Sequence, residues 1–196
     1  PELLDQARLH MSTAGVEAEA FVVGDAATLD LSGTFDAVLC AGPLYHAADR
    51  DDLRRMLATC RRMLRRDGLL LGTFIPRATG VSGLIARAID ASQIGPGTLT
   101  HTWETGTFSN QVPGAFTGAF FIDPDELRTD VEGAGLDIVG IESLRGIAAP
   151  YGPALATLRS SNPTVFEEVL DLVRRTADRP DIIGMSWHAV IVARRR

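Results

Sequence analysis

Two short apolar runs, FDAVLCAG (35–42) and GLLLGTFI (68–75), bracket a stretch of helical period, and no other feature constrains the fold as much. Between them Leu53, Met56, Leu57, Cys60, Met63 and Leu64 recur at helical spacing with arginines interleaved, which predicts a helix over 49–66 ended by Asp67-Gly68. Neither apolar run alternates with polar residues. Each therefore reads as a strand covered on both faces, the habit of parallel sheets.

The same pattern extends in both directions. ELLDQARLHMSTAG (2–15) is a helix stopped by Gly15, and AEAFVVGD (18–25) gives a short strand ending at Gly24-Asp25. Leu84, Ile85, Ala88 and Ile89 predict a helix over 82–92. Asp123 is a good N-cap, Pro124 suits the first helical position and Glu126 completes a capping box. LDIVGIESL (136–144) is a strand, and Asn162-Pro163 opens a helix carrying Val165, Phe166, Val169, Leu172 and Val173 inward. SWHAVIVARR (186–195) closes the chain as a strand, with His188 as a core histidine. Strands alternating with helices make the fold class α/β, doubly wound, in a single domain over 1–196.

The totals exclude several roles. A net charge of −6 argues against a nucleic-acid binder working by phosphate neutralisation, and the RRMLRR cluster (61–66) reads as a solvated helix face. The apolar run at 68–75 is far too short to span a membrane. The chain holds 2 cysteines, Cys40 in a strand and Cys60 on a helix, neither at metal-ligand spacing; buried thiols fit a reducing cytoplasm. The acidic residues of HAADRDD (46–52) suit a helix N-terminus, so no metal site is expected there. A Cys40–His46 nucleophile pair would need an exposed thiolate, which a buried strand end does not offer.

Four stretches together resemble the class I S-adenosylmethionine-dependent methyltransferases of the bacterial small-molecule type. GDAATLDL (24–31) is similar to the segment after that family's third strand, and FDAVLCAGPLYHA (35–47) to its fourth strand and following loop. The segment 53–75 resembles the next helix, glycine turn and fifth strand; GAGLDIVGIESL and GMSWHAVIVARR resemble the closing pair, the last strand antiparallel. The family's glycine-rich loop is not among these residues. The resemblance therefore implies a Rossmann-like, mostly parallel sheet that is N-terminally incomplete, lacking a leading β-α-β of roughly 30–45 residues. In such a sheet the absent strands would lie between the 18–24 strand and the 35–41 strand, and the chain is expected to hold the cofactor poorly without them.

The resemblance also implies roles. In open α/β sheets ligands sit outside the carboxyl ends of the strands, where Asp25 and the 40–46 loop both fall. Asp25 would accept the adenine amino group with the Ala26 N–H beside it, and Cys40, Ala41 and Gly42 would run their backbone along the methionine part of S-adenosyl-L-methionine. Tyr45 would offer its ring to the sulfonium or wall the pocket, and His46 would take the acceptor's proton. The segment 76–121 would be a lid and acceptor-binding insertion, with His101, Trp103 and Phe116 as substrate contacts. The implied activity is methyl transfer to an O, N or C nucleophile of a small molecule, in a possible homodimer. Two other readings stay open here: an NAD(P)-dependent oxidoreductase on a similar sheet, and a methyltransferase-like protein without catalysis that binds a partner through 101–121.

Overall fold

The computed structural model of the chain describes residues 2–91, 94–110 and 118–196. It opens with helix α1 (Glu2–Thr13), followed by strand β1 (Phe35–Cys40), helix α2 (Arg50–Met63) and strand β2 (Leu64–Phe74). Helices α3 (Arg77–Ala91) and α4 (Thr98–Thr105) come next, then a hairpin of β3 (Thr107–Ser109) and β4 (Gly118–Phe120). Helix α5 (Pro124–Gly133) leads into β5 (Leu136–Ser143). Helices α6 (Gly152–Ser161), α7 (Pro163–Arg175) and α8 (Pro180–Gly184) precede the last strand, β6 (Ala189–Arg195).

The main sheet has the order β1-β2-β6-β5. β1 and β2 are parallel, and β6 runs antiparallel to both β2 and β5, so the last strand alone opposes the other three. Cys40, Gly72, Ile191 and Ile141 stand side by side across all four strands on a buried face. α2 lays Leu53, Met56, Leu57 and Cys60 on that face, and α5 adds Leu127 and Val131 to the same core. A buried carboxylate joins the two helices: Arg50 Nε and Arg54 Nε donate to Asp130 at 2.8 and 2.9 Å.

The helix starts follow local chemistry. Asp49 caps α2 by accepting from the Asp52 N–H at 2.8 Å, and Asp51 and Asp52 sit where the helix dipole favours negative charge. Asp123 caps α5 through the Asp125 N–H at 2.9 Å with Pro124 in the first turn, as the sequence predicts.

Three expectations are corrected. Residues 18–24 do not form a strand: 16–25 join no ladder, and Val22 and Val23 are exposed. Apolar composition favours a strand, but a strand persists only through paired backbone groups, and β1 pairs with β2 on one side alone. The last strand begins at Ala189, after Trp187 and His188, because its ladder starts opposite Phe74 and Ser143. In α7, Val165 and Leu172 are exposed, and the helix rests on α6 and the 3-10 segment Gly146–Tyr151.

Candidate functional site

The end of β1 builds the site. After Cys40 the chain turns at Gly42, whose φ of 125° is open to glycine and strained for other residues. The Gly42 N–H donates to Thr73 Oγ1 at 3.1 Å, tying the turn to β2. Pro43–His46 then makes one 3-10 turn, closed by the Tyr45 N–H to the Gly42 carbonyl at 3.2 Å. Leu44 is fully buried, and a Cβ added at Gly72 would meet its Cδ1 at 2.8 Å, so strand and plug interlock. Driving Leu44 inward turns its neighbours Tyr45 and His46 out to the rim.

There the rings cluster. Tyr45 lies 4.8 Å from His46 and 5.3 Å from His188, the latter edge-on at 77°. His46 Nδ1 is 3.1 Å from the Gly118 carbonyl in β4. A carbonyl only accepts, so Nδ1 is the donor here, and in the neutral ring the lone pair is then on Nε2. Burial, and then the charge of Arg145, hold the His188 imidazole below its ordinary range, which favours the neutral ring.

Tyr45 and His46 border a cavity of about 410 Å³. Trp187 and His188 form a second wall, Ile75, Phe108 and Phe121 an apolar one, and α3 contributes Thr79, Gly80, Gly83 and Arg87. Its volume lies within the range of small-organic-molecule sites, as does its make-up of aromatic surface with few polar groups.

The other predicted residues, Asp25, Ala26, Cys40, Ala41 and Gly42, are not among those lining this cavity. Asp25 Oδ1 accepts the Ala27 N–H at 2.7 Å, and its backbone carbonyl accepts from Thr28 and Leu29, so the carboxylate shapes its own turn. Thr59 Oγ1 of α2 donates to the Ala27 carbonyl at 2.8 Å and pins that turn to the helix. Ala26 and Ala27 pack into the core that holds Cys40, while Ala41 and Gly42 form the outward bend. One lone-pair site of Asp25 is used in the turn, out of about four on a carboxylate.

Cys40 and Cys60 meet beneath this bend. Its hydrogen bond to Cys40, together with burial, pushes the Cys60 thiol well above its ordinary range. Both thiols are buried, so a native-state titration with an aromatic disulfide reagent is expected to find neither reactive, and both after unfolding. A rapid reaction of one thiol in the folded protein would contradict this packing.

The predicted acceptor contacts divide. Tyr45 and His46 line the cavity; His101 and Trp103 lie on the exposed side of α4 and do not. Phe116 falls outside the described residues. The α3 face (Thr79, Gly83, Arg87) and His188 are cavity residues that sequence reasoning missed. Glycines at 80 and 83, one helical turn apart, were the available signal for the first; nothing local marked the second.

Comparison with known proteins bears on the fold. Residues 1–68 match the model of a methyltransferase-domain family. A methyltransferase of Clostridium acetobutylicum that depends on S-adenosylmethionine superposes with a TM-score of 0.56 at 10% identity, over 99% of this chain and 71% of that one. A Pyrococcus horikoshii protein gives 0.59 at 15% identity, over 100% of this chain and 68% of that one. A Methanosarcina mazei methyltransferase of the same dependence gives 0.52 at 16% identity, over 89% and 66%.

This is the class I methyltransferase fold.

The antiparallel β6 set between β2 and β5 is its closing pair, so the resemblance seen in 136–195 holds in three dimensions. No protein of curated function matches the chain by sequence. The fold alone does not choose the reaction: the [4+2]-cyclase SpnF also superposes, with a TM-score of 0.50 at 15% identity over 98% of this chain and 60% of that one.

Proposed function

We propose that this protein transfers a methyl group from S-adenosyl-L-methionine to a nucleophilic atom of a small molecule, within one domain whose segment 76–121 is the acceptor-binding insertion. The observation that carries the reading is the placement of the Gly42–His46 loop. The end of β1 runs through the small residues Cys40, Ala41 and Gly42, and a few positions on Tyr45 and His46 open onto the aromatic cavity.

The residues present suit the cofactor. Cys40, Ala41 and Gly42 have side chains small enough for close backbone approach, and Asp25 has accepting capacity beyond its turn. These residues, with Ala26, would hold the cofactor, which supplies an electrophilic methyl on a sulfonium. The chain's own work is positioning, water exclusion and proton removal. His46, with its lone pair on Nε2, takes the acceptor's proton; the Tyr45 ring offers a face to positive charge and walls the cavity.

The apolar cavity supports a small molecule as the acceptor, and the net charge of −6 supports a partner other than nucleic acid. No helix among the described residues is long and apolar enough to cross a membrane. The two buried thiols support a cytoplasmic location.

Isothermal titration of the whole gene product with S-adenosylhomocysteine is expected to give saturable one-site heat. A folded protein that shows no heat at millimolar ligand would end the proposal.

A further inference from the structure

The cavity's walls say more about the acceptor than its size does. A Cβ added at Gly80 would strike the Phe121 ring at 2.3 to 2.6 Å, so that ring lies flat on the backbone of α3. Gly83, one turn further along the same face, lines the cavity, and an added Cβ there would meet nothing within 4 Å. The helix therefore carries a bare shelf beside a ring already stacked on it. Phe108, Trp187 and Tyr45 face the same space, so a flat aromatic body meets ring surface on several sides.

The polar groups are unbalanced in sign. Arg87, one turn beyond Gly83 on α3, lines the cavity together with His46, His188 and Thr79. Among the described residues lining it there is no Asp or Glu. A cationic amine would find no carboxylate, whereas a guanidinium presents five N–H donors in a fork that matches a carboxylate.

We propose that the acceptor is a planar aromatic hydroxy acid, lying flat over Gly83 with its carboxylate at Arg87 and its hydroxyl toward His46. The inference rests on the methyl-transfer reading for what happens at the hydroxyl, but the binding preference stands on this cavity alone. In the reaction the hydroxyl oxygen forms a bond to the methyl carbon as the carbon–sulfur bond breaks; the electron pair goes to sulfur and the proton to His46 Nε2. Gly83 is thereby a specificity-determining position, since any side chain there occupies the shelf.

The test measures binding of three probes by quenching of tryptophan fluorescence, because Trp187 is in the cavity wall. The probes are 6-hydroxy-2-naphthoate, its neutral counterpart 2-naphthol, and tyramine, a phenol carrying a cationic alkylamine. The naphthoate is expected to bind at least tenfold more tightly than either of the others. Arg87→Gln should remove the preference over naphthol, and Gly83→Leu should abolish binding of both naphthyl compounds. Gly83→Ala, which meets no neighbour, should melt at or above the wild type while weakening the naphthoate several-fold.

Equal binding of the three probes, tighter binding of tyramine, or unchanged binding to both Gly83 variants overturns the proposal. Should Gly83→Leu fail to fold, the alanine and Arg87 variants decide. Titration with S-adenosylhomocysteine separates the two claims. Naphthoate binding without cofactor-product binding would retain this acceptor site and remove the methyl-transfer reading; the reverse would retain the reading and reject the acceptor class.

Discussion

Leu44→Ala is expected to cost about 2–5 kcal/mol of stability, the range for removing a fully buried leucine and leaving a cavity. The size follows from where Leu44 sits. It is 0% exposed, in the core with Leu53, Leu57 and Leu70, and its Cδ1 fills the space that Gly72 leaves open. β2 cannot shift inward to refill that space without breaking register with both β1 and β6. The same change should loosen the 3-10 turn that aims Tyr45 and His46, so cavity binding should weaken beyond what unfolding explains. Urea denaturation followed by fluorescence measures the first effect, with Leu9→Ala on the exposed side of α1 as the control. A loss below about 1 kcal/mol would show that Leu44 does not hold the loop as described.

His46→Ala is expected to lower kcat for a hydroxyl acceptor by about 10²–10⁴-fold, the usual worth of a positioned general base. Binding of S-adenosylhomocysteine should be unaffected, because His46 lines the cavity and none of the residues proposed to hold the cofactor does. Its bond to the Gly118 carbonyl matters as well: it orients the ring and keeps the lone pair on Nε2. His46→Gln preserves a hydrogen-bonding side chain but cannot serve as the base, so it should be nearly as slow as alanine. Unchanged turnover in both variants would move proton removal to another group, with His188 on the facing wall as the next to test.

Much of the architecture was legible locally. The β1-α2-β2 unit was predicted as 35–42, 49–66 and 68–75, against the observed Phe35–Cys40, Arg50–Met63 and Leu64–Phe74. Apolar runs and helical period carry that information because burial leaves an imprint on residue order. β1, however, is not covered on both faces as its apolar run predicts: Leu39 is 70% exposed. Asp123 and Asn162 announced their helices because a cap is a contact between near neighbours; each accepts an N–H two or three residues ahead. Gly42-Pro43-Leu44-Tyr45-His46 was readable as a strand-end loop for the same reason.

What failed was non-local. AEAFVVGD has the composition of a strand, but whether it is one depends on a neighbouring strand that its own residues do not specify. α4 has little sequence signal because its helix is defined by glycines at both ends, Gly97 and Gly106, more than by apolar period.

By itself, then, the order of residues determined the periodicities: which segments bury one face, where helices start, and that β1 must stop at Gly42. Only the tertiary structure decided that Gly83 and Arg87 of α3, Phe121 beyond the hairpin, and His188 ahead of β6 share one cavity with Tyr45 and His46. The physical reason is that local signals come from interactions within a turn or two. The cavity, by contrast, is enclosed by residues up to 143 positions apart, from Tyr45 to His188, brought together by sheet order and by the packing of α3 against the hairpin.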